Sequence, residues 1–363
     1  MGTSQTKRRR FLKKALAAGA ALSTLGVRQA SARSTRHRPA DAVGLLYDAT
    51  LCIGCKACVN ACKVANGLPA EFSTPDHLWD TPLDTSATTY NVIKVYRNGT
   101  QARKDREING YAFMKVSCNH CADPSCVSAC PVGAMHKDPR TGIVAYDPNR
   151  CIGCRYCVAA CPFGIPKYEY DSPTGQIGKC QLCRHRMKDG HYAACAEVCP
   201  TGATLFGRTD DLLDEAHRRL ALPAGTPTIF PRGRLGGPDE SYPGHISHYL
   251  QHIYGEKEYG GLQLLRLSAV DFEKEGLPKL GDTSSAAESE TLQHALYQHM
   301  AMPIGVLGVM LYAAKRNVPP DVPPDEAADE AADEAQHEAP DEANDEARNA
   351  QVHGAGKEND HDA

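Results

Sequence analysis

The sequence predicts an α+β fold: two pseudo-symmetric modules of short strands and cysteine-bearing loops, a C-terminal extended arm, and a single transmembrane helix. Three observations lead there. All 16 cysteines of the 363 residues fall into four groups of four: Cys52, Cys55, Cys58, Cys62; Cys118, Cys121, Cys126, Cys130; Cys151, Cys154, Cys157, Cys161; and Cys180, Cys183, Cys195, Cys199. Short apolar stretches flank these groups in a recurring order of strand, loop, helix and strand. Near the C-terminus, residues 295–314 form a mostly apolar run, and a helix of roughly 20 residues spans about 30 Å of hydrocarbon.

Cysteine spacing defines the chemistry. In Cys151-Ile152-Gly153-Cys154-Arg155-Tyr156-Cys157-Val158-Ala159-Ala160-Cys161-Pro162, cysteines recur after two, two and three intervening residues, and a proline follows. This is the bacterial ferredoxin run: three thiolates hold one iron–sulfur cube and the fourth ligates a neighbouring one. The modules are therefore expected to be bacterial-ferredoxin-like, each with two 4Fe–4S clusters, four in all. A disulfide framework does not favour a doublet two residues apart in every group. Structural zinc is the stronger alternative, since paired Cys-x2-Cys makes zinc ribbons, but these rarely add a third cysteine and a proline.

The crossing rule also predicts ligand sharing. Groups two and three are sequence neighbours and should pair, leaving groups one and four to pair across the chain. The expected sets are Cys52, Cys55, Cys58 and Cys199; Cys62, Cys180, Cys183 and Cys195; Cys118, Cys121, Cys126 and Cys161; and Cys130, Cys151, Cys154 and Cys157. Cubes held by four protein thiolates have no open iron, so they pass electrons rather than bind substrate. No catalytic residue is expected, and the chain reads as a wire whose chemistry lies in partner subunits.

In chain order, residues 1–32 hold seven basic and no acidic side chains. Lys7-Arg8-Arg9-Arg10-Phe11-Leu12 precedes a weakly apolar stretch and Ala30-Ser31-Ala32, as in a twin-arginine (Tat) export signal. Export of a folded, loaded protein suits free thiols bound for an oxidising periplasm. Residues 33–207 make the cluster body. Gly44–Asp48 reads as a strand entering group one, and Tyr111–Val116 as one entering group two. Residues around Gly133–His136 and Ile143–Tyr146 read as a hairpin, and Ala203–Gly207 as the strand after group four. The insert 63–110, which holds the only tryptophan, Trp79, is expected to be a surface lobe or partner contact, or equally a loosely packed loop.

Residues 208–222 place Leu212, Leu213, Ala216 and Leu220 on one helical side. Within 208–294, the Pro-, Gly- and Tyr-rich part from 223 to 290 is expected to form an extended arm over the core. It carries His245, His248 and His252 at helical spacing, more in keeping with surface histidines than with a metal site. Lys315-Arg316 after the 295–314 helix would put that end in the cytoplasm; the alternative is a buried amphipathic helix. Residues 315–363 are dominated by acidic repeats such as Asp325-Glu326-Ala327-Ala328 and should stay solvated. The net charge of −4, without a basic patch, excludes a nucleic-acid partner.

The layout resembles the four-cluster electron-transfer subunits of the dimethyl-sulfoxide-reductase and formate-dehydrogenase type. Within them it is similar to the iron–sulfur protein of the uptake NiFe hydrogenase-2 complex. The resemblance rests on Leu46-Tyr47-Asp48 before Cys52-Ile53-Gly54-Cys55, on Cys118-Asn119-His120-Cys121-Ala122-Asp123-Pro124-Ser125-Cys126, on Thr141-Gly142-Ile143-Val144, and on Tyr254-Gly255-Glu256-Lys257-Glu258. It covers roughly residues 8–316. Cys62 is followed by Lys63 rather than proline, which departs from the ferredoxin pattern in group one. The resemblance implies a subunit at the periplasmic face of the inner membrane. It would take electrons from a hydrogenase small subunit and hand them to an integral-membrane, quinone-interacting subunit, after export by the Tat translocase. The competing readings are the iron–sulfur β subunit of a molybdopterin oxidoreductase, a structural zinc scaffold, and a free-standing reductase. No flavin or nucleotide motif supports the last.

Overall fold

The computed structural model describes residues 33–72, 75, 81–237 and 241–317. The expected export signal, Trp79 and the acidic repeats lie outside the described residues. The described elements, in order, are β1 (Val43–Asp48), α1 (Ala57–Asn66), β2 (Asn91–Arg97), β3 (Arg103–Lys104), β4 (Gly110–Ser117), α2 (Ser125–Ser128), β5 (Met135–Lys137), β6 (Val144–Tyr146), α3 (Tyr156–Ala159), β7 (Lys167–Tyr168), β8 (Ile177–Gly178), α4 (Arg184–Met187), α5 (Ala194–Glu197), β9 (Thr204–Arg208), α6 (Thr209–Ala221), β10 (Pro227–Pro231), β11 (Ser241–His245), β12 (Leu264–Leu267) and α7 (Ser285–Asn317).

The core is built on β1, the middle strand of a sheet ordered β12-β1-β9. Its Leu45, Leu46 and Tyr47 are all buried, as expected of a strand covered on both faces. β9 runs antiparallel to it, with Leu45 opposite Phe206, and β12 runs parallel, with Leu45 opposite Leu264. Gly44 permits that parallel approach: a Cβ there would lie 2.1 Å from the Gln263 carbonyl oxygen. The helix expected at 208–222 is α6. It buries Leu212 and Ala216, with Asp210 and Asp211 in its first turn and Arg218 and Arg219 in its last, the arrangement the helix dipole favours.

Arg219 is also buried, and it completes an ion triad at the end of β1. Its Nη1 donates to Asp48 Oδ2 at 2.8 Å and its Nε to Glu215 Oε1 at 2.8 Å, while the Tyr249 hydroxyl donates to Asp48 Oδ2 at 2.7 Å. The second sheet, ordered β2-β4-β3, is joined to β1 by the Tyr47 hydroxyl, which donates to the Phe113 carbonyl at 2.7 Å.

Three expectations are corrected here. Part of the 63–110 insert is core: β2 pairs with β4 from Asn91–Ser117 to Arg97–Tyr111 and buries Val92 and Ile93. The 223–290 segment does more than drape over the core, since it contributes β12 and buries Leu262, Leu264, Leu265 and Leu267. The expected single transmembrane helix is overturned, because no helix among the described residues is long and apolar enough to cross a membrane. α7 is long, but only 15 residues separate His299 from Lys315. That apolar part extends about 22 Å at about 1.5 Å per residue, short of a hydrocarbon core of about 30 Å. Its earlier turns are polar: Glu290 accepts from the Ser128 hydroxyl at 2.7 Å and pairs with Arg33 at 2.5 Å.

Candidate iron–sulfur cluster sites

Each cysteine group forms a loop whose backbone turns left-handed two residues after its first cysteine. The φ angles there are +71° at Gly54, +47° at His120, +70° at Gly153 and +51° at Leu182. Glycine adopts this conformation without a Cβ penalty. At Gly54 a Cβ would also lie 2.4 Å from the Phe113 ring. The turn aims amide hydrogens at sulfur: Gly54 N donates to Cys52 Sγ at 3.4 Å, Gly153 N to Cys151 Sγ at 3.4 Å, and Leu182 N to Cys180 Sγ at 3.3 Å. Such nests of backbone N–H favour anionic groups.

The fourth cysteine lies on or just beyond the helix that follows the loop. Pro131, Pro162 and Pro200 follow Cys130, Cys161 and Cys199, and the three helices before them, α2, α3 and α5, are four residues each. Proline disfavours helical geometry in the residue before it. Lys63 follows Cys62 instead, so α1 continues to Asn66 and carries Cys62 within a ten-residue helix. The departure from the ferredoxin pattern thus lengthens a helix and leaves a thiol available there.

All 16 cysteines are free thiols, so no disulfide framework exists. Burial, above any other influence, pushes the Cys62 thiol up to about 12, and the neighbouring sulfurs of Cys195, Cys183 and Cys58 add to it. Cys52 is pushed up to about 11, first by burial, with Cys58 and Cys199 contributing. Cys121 is raised by burial and then by Cys161, Cys118 and Cys126. Cys157 is pushed up to about 11 by burial and then by Cys130, Cys151 and Cys154. Cys180 is raised by burial and faces Cys62, Cys118, Cys183 and Cys195. Thiols crowded this way ionise together only when a cation compensates them, which is what coordinated iron provides. Tetrahedral zinc, with Zn–S near 2.3 Å, needs its ligands within about 4 Å of one another. Among the described residues, no three His, Cys, Asp or Glu side chains converge to hold a metal ion. Cys52, Cys55, Cys58 and Cys199 line one shared cavity.

Three lysines and a neutral histidine lie beside the cysteine loops. Lys179 Nζ donates to the Val144 carbonyl at 2.5 Å, to the Cys180 carbonyl at 2.8 Å and to Cys118 Sγ at 3.9 Å. Lys137 Nζ donates to the Cys121 and Gly142 carbonyls at 2.9 and 2.6 Å, and burial lowers its pKa to about 8. His120 Nδ1 accepts from Val144 N at 3.0 Å, which puts its proton on Nε2. Lys115, inside β4, is buried among the sulfurs of groups one and four. Reasoning from cysteine spacing missed all four. The available signal was a lysine within the apolar strand Tyr111–Val116 and another abutting Cys180. His245, His248 and His252 are not on a helix: His245 ends β11, and His252 Nε2 lies 2.6 Å from Glu258 Oε1.

Comparison with known proteins fits this geometry. Residues 51–134 and 110–209 each match a 4Fe-4S dicluster domain. The hydrogenase-2 operon protein HybA of Escherichia coli O157:H7 is 44% identical over 86% of this chain and 96% of its own length. The nitrate-inducible formate dehydrogenase iron–sulfur subunit of Escherichia coli is 33% identical over 61% of this chain and 72% of its own. The thiosulfate reductase electron transfer subunit PhsB of Salmonella typhi is 41% identical over 46% of this chain and 76% of its own. Fold, thiol loops and domain matches together define a dicluster iron–sulfur protein. Identity of this extent, over nearly the whole of the relative, narrows the class: the chain belongs to the HybA family of hydrogenase-2 operon proteins.

Proposed function

We propose that this chain relays electrons, by way of four 4Fe–4S clusters, from a periplasmic NiFe hydrogenase to an integral-membrane, quinone-reducing subunit. The ligand sets would be Cys52, Cys55, Cys58 and Cys199; Cys62, Cys180, Cys183 and Cys195; Cys118, Cys121, Cys126 and Cys161; and Cys130, Cys151, Cys154 and Cys157. The observation that carries the reading is the adjacency between sets. Cys58 neighbours Cys62, Cys118 neighbours Cys180, and Cys157 neighbours Cys126. That neighbourhood supports an arrangement of the four sets in single file, as a relay requires.

Bound clusters supply one-electron carriers. The chain's own residues hold the thiolates, donate backbone hydrogen bonds to sulfur and exclude water from the middle of the file. At one end Cys55 and Ile53 are exposed, and at the other Ile152 and Tyr156, which suits contact with two different partners. The likeness to a hydrogenase-2 operon protein favours a hydrogenase small subunit as donor. The formate dehydrogenase and thiosulfate reductase relatives favour a second reading, with a molybdopterin subunit as catalytic partner. The Arg8-Arg9 signal supports export through the Tat translocase to the periplasmic face of the inner membrane, with attachment there through the integral-membrane partner.

Anaerobic purification of the membrane complex tests this. Brown protein with about sixteen irons and as much acid-labile sulfide per chain, copurifying with hydrogenase subunits and bleached by hydrogen, is expected. Copurification with a molybdopterin subunit would favour the second reading. Colourless, zinc-containing protein would overturn both.

A further inference from the structure

Lys115 is fully buried toward the C-terminal end of β4, paired in register with Ile93 of β2. Its Nζ has no hydrogen-bond partner among the described residues, and it is the one lysine among them whose buried ammonium lacks one. The other buried lysines near the cysteine loops are satisfied: Lys63 donates to the Thr88 carbonyl and the Thr89 hydroxyl, and Lys179 to two carbonyls. An isolated ammonium in a protein interior is too costly to persist uncompensated. Around it stand the sulfurs of Cys195, Cys58, Cys62 and Cys180, whose thiolates would compensate the charge once they ionise to hold clusters. Those sulfurs belong to two sets, one through Cys58 and the other through Cys62, Cys180 and Cys195. A thiolate-bound cube is anionic and gains one negative charge when reduced.

We propose that Lys115 is a positioning residue that raises the reduction potentials of the two clusters held by groups one and four, by fixing a permanent positive charge between them. The inference rests on the cluster assignment above. A positive charge beside an acceptor stabilises its reduced form, and the effect is large where water is excluded. Three of the four neighbouring sulfurs come from the Cys62, Cys180, Cys183 and Cys195 set, so that cluster should respond more strongly. The clusters of groups two and three, lined by Lys179 and Lys137 instead, should be indifferent.

Anaerobic redox titration followed by electron paramagnetic resonance, with iron content measured on each sample, tests the proposal on wild-type, Lys115→Met and Lys115→Arg proteins. At the potential where the wild-type group-one and group-four clusters are half reduced, fully loaded Lys115→Met should show a reduced-to-oxidised ratio at least tenfold lower. That corresponds to a downward shift of about 59 mV for a one-electron couple. Lys115→Arg should stay within about threefold, and the other two clusters should not move. Loaded Lys115→Met with unshifted potentials, or with all four shifted alike, would overturn the proposal. If Lys115→Met does not take up iron, Lys115→Arg decides. Full iron with near-native potentials supports the charge role, and loss of iron there too assigns Lys115 to packing. Wild-type protein without iron and labile sulfide would instead sink the cluster assignment itself.

Discussion

The two pairs of cysteine groups share one loop design but sit in different surroundings. Groups one and four are part of the main core: Cys52, Cys58, Cys195 and Cys199 pack with β1, β9 and β12. Groups two and three have a small apolar cluster of their own, in which Cys126 and Cys157 meet Ala134, Met135, Val144, Tyr146 and Ile177. That cluster is built on the two-stranded hairpins β5-β6 and β7-β8. Such a small core contributes little stability, so the second pair should depend on bound metal for its order. The first pair shares a large core built mostly of apolar side chains, and Lys115 is buried beside it. One repeat, placed in two depths of apolar packing, should therefore give clusters that differ in potential and in what their loss does to the fold.

Ligand removal should expose this contrast most strongly. Cys58→Ala should lose iron and lower the thermal transition of the whole body, because it opens a cavity in the main core and removes one of the sulfurs around the Lys115 ammonium. Cys157→Ala should lose iron yet leave amide protection in β1 and β9 intact, with exchange accelerating only around α2, α3 and the β5-β6 hairpin. Equal loss of protection in both regions would erase the distinction. A smaller effect is expected at the triad under the first pair. Asp48→Ala leaves Arg219 with Glu215 as its remaining carboxylate partner and should cost about 3–5 kcal/mol in urea unfolding. An unchanged midpoint would mean that the ion triad adds nothing to the core.

The smallest effect, at most about 1.4 kcal/mol per pH unit, is a slope. Burial, reinforced by Asp105, pushes the Glu275 carboxyl up to about 8 against the pull of Ser268, Arg266 and Lys104. A raised pKa means that the folded state retains a proton the unfolded state gives up. The contribution is whole below about pH 4.5, the usual glutamate range, and shrinks as pH rises to about 8, beyond which nothing further is lost. Glu275→Gln should flatten that part of the stability profile; an identical slope would assign it to other groups.

Much of this molecule is legible in its sequence because the signals are local. The strands near Gly44, Tyr111 and Ala203, the hairpin around 133–146 and the helix at 208–222 each occur within a residue or two of expectation. Even the long α1 follows from one substitution, Lys63 where the other groups have proline. The failures are of two kinds. Composition overstated the reach of the C-terminal helix, since Gln298 and His299 interrupt its apolar run early. Pairings between distant segments left no local trace: nothing about Leu264–Leu267 announces a parallel partner at Leu45–Asp48.

By itself the sequence singled out the candidate cluster ligands, because in groups one and three, three thiols within seven residues need only a turn to converge. Tertiary structure alone decided what lies behind them. β12 beside β1, β2 beside β4 and the unpartnered Lys115 ammonium come from chain segments far apart, and only folding makes them neighbours.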